Sequence, residues 1–233
     1  MASKKVLFVM VEGPSDEEAL SLVLTRLFNK NTLHVHVMRR DITAEQDVEP
    51  NNIISKLGNE IRRYAKKYSL RPADFSAFIH IVDTDGAFVP NDCIIEDPSF
   101  VNPIYFLGEI RVFNKQSFER RNLQKSSNIS RICSCNNIWR VPYQVYYMSS
   151  NLDHVLYDKQ NNDDKEKMKD AHKFSKKFSG NIPGFISFFS DSSFAVLSSY
   201  SESWDFIKKG VNSLNRYSNF GICLSELSRN NNT

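Results

Sequence analysis

The chain has 233 residues, of which 41% are hydrophobic and 12% aromatic, enough apolar material for a full globular core. Its net charge of +3 permits nucleic acid as a partner but does not demand it. No apolar run is long enough to cross a bilayer and the N-terminus lacks the layout of a secretory signal, so we expect a cytoplasmic protein. The four cysteines are irregularly spaced, which favours reduced thiols over disulfides or a zinc site.

The first predicted unit is a strand, a tight turn and a helix. The unbroken apolar run at 6–11 is typical of a strand that is buried on both faces of a parallel sheet, and Glu12 ends it. Ser15 and Glu18 have the spacing of a capping box, which predicts that Ser15 begins a helix. Asp16 would then lie in the first helical turn, where a helix N-terminus favours negative charge.

A second strand, a second helix and a third strand follow. Alternating apolar residues predict a strand at 33–37, and apolar residues at helical spacing predict a helix over 53–68. The segment 75–82 is a third predicted strand, and it ends in Asp83. Strands that alternate with helices imply right-handed crossovers, so we expect an α/β fold with a mostly parallel sheet flanked by helices. The two histidines of the second strand are interpreted as sheet-face residues rather than metal ligands, because no carboxylates are near them in sequence.

The remaining sequence predicts a long loop, two strands and three helices. The loop covers 87–103, the strands cover 104–113 and 141–148, and the helices cover 151–157, 165–178 and 202–214. A loop of this length in a compact domain is often functional.

Two acidic motifs follow the first and third predicted strands, and they carry the chemistry. They are Glu12-Gly13-Pro14-Ser15-Asp16 and Asp83-Thr84-Asp85-Gly86. In a parallel sheet the functional crevice lies outside the carboxyl ends of the strands, where both motifs would lie. Carboxylates gathered there repel one another unless a divalent cation lies among them.

The motifs therefore predict a site for one or two Mg²⁺ or Mn²⁺ ions. Asp83 and Asp85 are the principal predicted ligands, and Asp16 would bind a second ion. Glu12 would be either a metal ligand or a general acid/base, and a two-metal arrangement is suited to in-line phosphodiester cleavage.

The combination resembles the TOPRIM family, the catalytic module of topoisomerases, bacterial primases, maturation ribonucleases and OLD-type nucleases. The family has a glutamate-glycine pair after the first strand and an Asp-x-Asp after the third, here Glu12-Gly13 and Asp83-Thr84-Asp85. The extension to Asp16 is similar to the OLD and RloB-like phage-defence branch.

The resemblance covers about residues 4–160 and implies a TOPRIM-like, Rossmannoid catalytic domain at 1–160 with a mostly helical C-terminal extension at 161–233. It implies a metal-dependent endonuclease that cleaves DNA or RNA as the effector of an anti-phage or abortive-infection system. RloB-like proteins carry an acid on a helix after a later strand, which makes Asp153 or His154 an auxiliary site residue; a helix merely capped by Asn151 is the alternative.

The expected partners are a nucleic acid substrate, a second copy of the chain and a separate ATPase or sensor, since the sequence has no Walker A loop. The basic segments at 111–131 and 165–177 would contact phosphates, although a solvated helix face is the alternative for each of them. The predicted nucleic-acid-binding residues are Arg120, Arg121, Lys125, Lys173, Lys176 and Lys177.

Two other functions compete with the nuclease hypothesis. A non-catalytic TOPRIM-like subunit would bind nucleic acid or a partner and would keep its acids as structural remnants. A phosphatase or nucleotidyl transferase would normally place Asp-x-Asp after the first strand rather than the third, so the order of the motifs argues against it.

Overall fold

The protein has an α/β fold in this computed structural model, which describes residues 5–28 and 33–230. The strands are β1 (Lys5–Val11), β2 (Leu33–Arg39), β3 (Phe75–Asp83), β4 (Ile94–Glu96), β5 (Ile104–Tyr105), β6 (Ile110–Val112), β7 (Asn137–Ile138) and β8 (Val141–Met148). The α-helices are α1 (Pro14–Phe28), α2 (Ile53–Lys67), α3 (Lys115–Cys133), α4 (Leu152–Tyr157), α5 (Asp164–Ser179), α6 (Ile182–Ser190), α7 (Tyr200–Ile207) and α8 (Phe220–Asn230). Within the described ranges, no helix combines the length and the apolarity needed to span a bilayer.

The main sheet has five strands in the order β2-β1-β3-β8-β7. Strand β1 pairs in parallel with both β2 and β3, and β7 pairs antiparallel with β8. All side chains of β1 from Val6 to Val11 are buried, as expected for a strand with both faces covered. The three N-terminal strands and the mostly parallel sheet predicted from the sequence are therefore confirmed.

The chain divides into two compact units, each assembled from segments that are distant in sequence. The first comprises Met1–Val82, Ser127–Val145 and Met168–Ile182. The second comprises Asp83–Ser126, Tyr146–Lys167 and Pro183–Thr233. The division at residue 160 into a catalytic domain and a C-terminal extension stays a prediction.

A small sheet in the second unit corrects the predicted loop and the strand after it. It has the order β4-β6-β5, so the predicted loop at 87–103 contains β4, and the predicted strand at 104–113 is two short strands, β5 and β6, joined by a turn. One face of this sheet is buried in an apolar cluster that includes Ile94, Ile110 and Phe118. Strands of two or three residues are too short to show a period in the sequence, so packing against α3 decides them.

The later helices are predicted in part. The structure confirms helices at 151–157 and 165–178 as α4 and α5, but the predicted helix at 202–214 ends at Ile207 and is followed by a 3₁₀ turn at Asn212–Leu214. Gly210, with a φ of 52°, interrupts the helical backbone between them. Helices α3, α6 and α8 were not predicted from the sequence.

Replacement of Phe8 by alanine tests whether β1 is the centre of the core. Phe8 is fully buried, and its ring lies 5.0 Å from that of Phe78 and 5.4 Å from that of Tyr64, centroid to centroid. We expect Phe8→Ala to lower the free energy of unfolding by about 3–5 kcal/mol because it leaves a cavity. Chemical denaturation measures the change.

The matched control is Leu22→Ala, at an exposed position on α1, which should change the free energy of unfolding by less than about 0.5 kcal/mol. Equal losses in the two variants would contradict a core centred on β1.

Candidate metal centre

The first acidic motif forms the turn from β1 into α1, and its helix cap differs from the predicted one. The helix begins at Pro14, so Ser15 is already helical and the predicted box of Ser15 with Glu18 is wrong. Instead, Asp16 lies in the first turn and its Oδ2 accepts a hydrogen bond of 2.8 Å from the backbone N of Gly13. Proline at the first helical position needs no N–H partner, and the helix begins at Pro14, two residues before the first helical residue of the predicted box, Asp16.

Asp16 is only 6% exposed, so the carboxylate predicted to bind a second ion also holds the helix start. Its position in the first helical turn, as predicted, lets the helix dipole stabilise its charge. The cap bond uses Oδ2, and Oδ1 lies 3.4 Å from the hydroxyl of Ser15.

Glu12 shares a buried hydroxyl with Asp41, an acid that the sequence analysis missed. The Oγ1 atom of Thr43, which is fully buried, lies 3.2 Å from Oε1 of Glu12 and 3.1 Å from Oδ1 of Asp41. A hydroxyl carries a single hydrogen, so it can donate to one of the two carboxylates at a time. The signal for Asp41 was available, because it follows the carboxyl end of β2 as Glu12 follows that of β1.

The loop that carries Asp41 and Thr43 is fixed by hydrogen bonds in the first unit. The backbone N of Ala44 donates to Oδ1 of Asp41 at 3.2 Å. The side-chain amide of Asn128, which is fully buried, donates to the carbonyl oxygen of Thr43 at 3.0 Å. These bonds hold Asp41 and Glu12 in a defined arrangement around the Thr43 hydroxyl.

The second acidic motif is a tight turn at the end of β3. The half-buried Asp83 is the last residue of the strand, and Asp85 has a left-handed φ of 46°. In the second unit, the backbone N of Thr84 donates to the carbonyl of Met148 at 3.0 Å, and that of Asp85 donates to the carbonyl of Ser150 at 2.7 Å. The hydroxyl of Thr84 in turn accepts a bond of 2.8 Å from the backbone N of Ser150, so the turn is tied to the chain just beyond β8.

Asp85 is ion-paired with two cationic side chains of α3. Its Oδ2 lies 2.6 Å from Nζ of Lys125 and 2.9 Å from Nη2 of Arg121. Lys125 has no exposed side-chain surface, and the side chain of Asp85 is 19% exposed. Burial by itself would raise the pKa of Asp85, but the positive charges of Lys125 and Arg121 outweigh it and lower that pKa, so the carboxylate is ionised at neutral pH.

Two of the six predicted nucleic-acid-binding residues form these ion pairs. Arg121 and Lys125 bind Asp85, and the buried Lys125 is not on an open surface. Arg120 is exposed and lines a groove of about 410 Å³ in the second unit. The predicted lysines of α5 are all exposed, and they are Lys173, Lys176 and Lys177.

The predicted auxiliary residues lie in the first turn of α4. Asn151 caps this helix, because its side-chain oxygen accepts a bond of 2.9 Å from the backbone N of His154. The side chains of Asp153 and His154 are buried, and the desolvation of His154 lowers its pKa to about 4 although Asp158 opposes the shift. His154 is therefore neutral at pH 7, and Nζ of Lys167 lies 3.8 Å from Oδ2 of Asp153.

Gly86 is required by the geometry of the second motif. Its φ is 75°, and an added Cβ would lie 2.3 Å from Cδ1 of Ile110. We expect Gly86→Ala to lower the free energy of unfolding by about 2–4 kcal/mol, the sum of backbone strain and a steric clash. Thermal or chemical denaturation measures the loss.

Two other glycines serve as controls that separate the backbone strain from the steric clash. Gly210 has a φ of 52° with open space around it, so Gly210→Ala should show only the strain, about 1 kcal/mol. Gly108 has neither a positive φ nor a close neighbour, so Gly108→Ala should be nearly neutral. A Gly86→Ala variant no less stable than Gly210→Ala would contradict the close packing of the turn on Ile110.

The ion pairs of Asp85 predict a pH dependence of stability. Because the pKa of Asp85 is lower in the folded chain than in the unfolded one, its contribution is complete above the unfolded value of about 4 and is lost as pH falls through the folded pKa. At neutral pH, Asp85→Asn should lower the free energy of unfolding by about 3–5 kcal/mol, because it removes the carboxylate that neutralises a buried lysine. Below pH about 4 the difference between wild type and variant should shrink.

Denaturation from pH 7 to pH 2 measures this difference, with the exposed Asp205→Asn as the matched charge-removal control. A difference that does not depend on pH would contradict an ionised Asp85.

Comparison with known proteins gives no match of any kind: no family model, no curated protein and no solved structure matches the chain.

Proposed function

We propose that the chain is a metal-dependent endonuclease with a TOPRIM-like catalytic module, which cleaves phosphodiester bonds of DNA or RNA. The observation that carries the proposal is the pairing of β1 with β3, parallel and adjacent in the sheet. Glu12 follows the carboxyl end of β1, and Asp83 is the last residue of β3. In open α/β sheets this edge is where ligands bind.

The residues present fit a hard divalent cation. Their donors are carboxylate oxygens, the ligand type that Mg²⁺ and Mn²⁺ prefer. The proposed ligands are Glu12, Asp16, Asp83 and Asp85, to which the structure adds Asp41 as a candidate because it shares the Thr43 hydroxyl with Glu12. The Oδ2 atom of Asp85 receives the hydrogen bonds of Arg121 and Lys125.

The chemistry of the proposed site is in-line hydrolysis of a phosphodiester. One or two bound cations would polarise the phosphate and lower the pKa of an attacking water. Glu12 would bind a cation or transfer a proton to or from the reacting oxygens. Thr43 would keep the carboxylate of Glu12 oriented, since its hydroxyl lies 3.2 Å from Oε1.

The proposed substrate contacts come from exposed cations. Arg120 in the second unit, and Lys173, Lys176 and Lys177 in the first, are exposed, although Nζ of Lys173 also lies 3.4 Å from Oδ1 of Asp170. Action as the effector of an anti-phage system, together with a separate sensor or a second copy of the chain, is part of the same proposal.

The decisive experiment is cleavage of plasmid DNA and total RNA by the purified chain with Mg²⁺, Mn²⁺ or chelator. We expect cleavage that requires the cation, and a loss of at least about a hundredfold in rate for Glu12→Gln and for Asp83→Asn. These two variants are preferred to changes at Asp85, whose ion pairs contribute to stability. Circular dichroism checks that the variants fold.

Glu49→Gln and Asp205→Asn are the matched controls, since both replace exposed carboxylates with amides and should cleave like the wild type. Wild-type cleavage by both site variants would refute the proposal. A wild type that neither cleaves nor gains thermal stability from Mn²⁺ would favour the non-catalytic alternative. In that alternative, positively charged side chains such as Lys125 permanently neutralise the acids.

A further inference from the structure

We propose that the groove beside the second acidic motif binds one unpaired nucleotide, which makes a single-stranded nucleic acid the substrate. The groove has a volume of about 410 Å³, and all the residues that line it belong to the second unit. The inference rests on the proposed function and deepens it, because it names the form of nucleic acid that the chain binds.

Two segments form the walls of the groove. One is the stretch 87–91, which begins directly after the motif, and the other is α3. The side-chain amide of Asn122 donates a hydrogen bond of 2.9 Å to the carbonyl oxygen of Gly86, and the backbone N of Val89 donates to the same oxygen at 3.1 Å. Because one carbonyl oxygen joins both walls, the groove is preformed next to the motif.

The walls carry side chains that can form hydrogen bonds with the edge of a nucleobase. Gln116 and Glu119 are three residues apart on α3, so they share one face of that helix, and Asn91 lies on the other wall. The amides of Gln116 and Asn91 both donate and accept hydrogen bonds, and the carboxylate of Glu119 accepts them. Base edges present donors and acceptors of the same kinds, and Asn, Gln and Glu are among the side chains that read them.

Apolar and cationic side chains match the other parts of a nucleotide. Ala87 and Val89 are buried in the groove, whereas Leu123 is 69% exposed. The flat face of a base would cover Leu123 and remove its apolar surface from water. Arg120 is exposed and forms no ion pair within the described residues, so its guanidinium can bind a phosphate oxygen.

The size of the groove favours a single strand over a duplex. Sites for small ligands have volumes of about 300–1,000 Å³, so this groove suits one nucleotide rather than a stretch of double helix. In a duplex each base is stacked and paired, and it enters such a site only after it has been flipped out of the stack. A base of a single strand can enter without that cost.

Fluorescence anisotropy with labelled single-stranded DNA and RNA, and with duplexes of the same sequence, tests the proposal on the full chain. All titrations contain a chelator, so that binding is measured without cleavage and without a metal ion. We expect the preferred single strand to bind at least about tenfold more tightly than its duplex, because the duplex must be opened first.

Leu123→Glu is the primary variant, because its exposed position allows the chain to fold. It should lower the affinity for the single strand by at least about tenfold, since it places a negative charge where the base and its phosphate bind. The matched control is Leu107→Glu, which adds the same charge to the same unit at a residue that is 62% exposed and lies outside the groove. This control should bind like the wild type.

Arg120→Gln is the second variant. It should weaken binding about threefold to tenfold and reduce the slope of log affinity against log salt concentration by about one, because one phosphate contact is lost. Lys209→Gln removes an exposed lysine of the same unit and should keep the affinity and salt slope of the wild type.

A competition with nucleoside monophosphates identifies the source of the nucleotide. We expect them to bind much more weakly than the oligonucleotide, because a strand adds phosphate contacts outside the groove. Equal affinities would overturn the proposal, since the groove would then be a site for a free nucleotide.

The outcomes separate this inference from the proposed function. Equal affinity for single strand and duplex, or equal losses in Leu123→Glu and Leu107→Glu, would overturn the inference and would leave the nuclease proposal intact in a chain that cleaves. A preference for the single strand that Leu123→Glu abolishes, in a chain that does not cleave with any cation, would support the groove and refute the nuclease.

Discussion

The parallel pairing of β1 with two neighbours is the constraint on which the described sheet depends. Each side chain from Val6 to Val11 is buried, and the backbone of the strand is paired on both sides, with β2 and with β3. Burying one such side chain contributes about 1.5–3 kcal/mol, so the strand cannot shift without a large loss. Glu12 is the first residue beyond this run that is not buried, and its place is therefore set by the core.

Carboxylates at strand ends create a second constraint, because a partly buried negative charge needs compensation. In the second unit the compensation for Asp85 comes from Lys125, a fully buried lysine, and from Arg121. A buried lysine is equally costly without an acid, so each charge makes the other tolerable. This mutual dependence suits a structural role for Asp85 as well as a catalytic one. The affinity of the chain for Mg²⁺ or Mn²⁺ distinguishes the two roles.

The sequence predicted the elements whose apolar residues recur with a regular period. It missed the helices in which polar or turn-forming residues interrupt that period. Helix α2 was evident from its apolar stripe, and Asn151 was correctly seen as a cap. Helix α3 was seen only as a basic segment, because its buried positions include Asn122, Lys125 and Asn128, which a hydrophobic pattern does not count. Helix α6 begins with Ile-Pro-Gly, a sequence typical of a turn, so it was missed, although proline is tolerated in a first helical turn.

The sequence by itself determined the β1–β2–β3 core, the positions of Glu12 and Asp83 at strand ends, and the acidic residue in the first turn of α1. These follow from local rules: apolar runs form buried strands, and the residue after such a run lies at the edge of the sheet. Only the tertiary structure decided that Thr43 links Glu12 to Asp41 and that Lys125 and Arg121 bind Asp85. Thr43 lies 31 residues from Glu12, and Arg121 and Lys125 lie 36 and 40 residues from Asp85. No local pattern encodes which distant side chain neutralises a charge. That choice is made by packing, which places a donor beside a carboxylate only after the chain has folded.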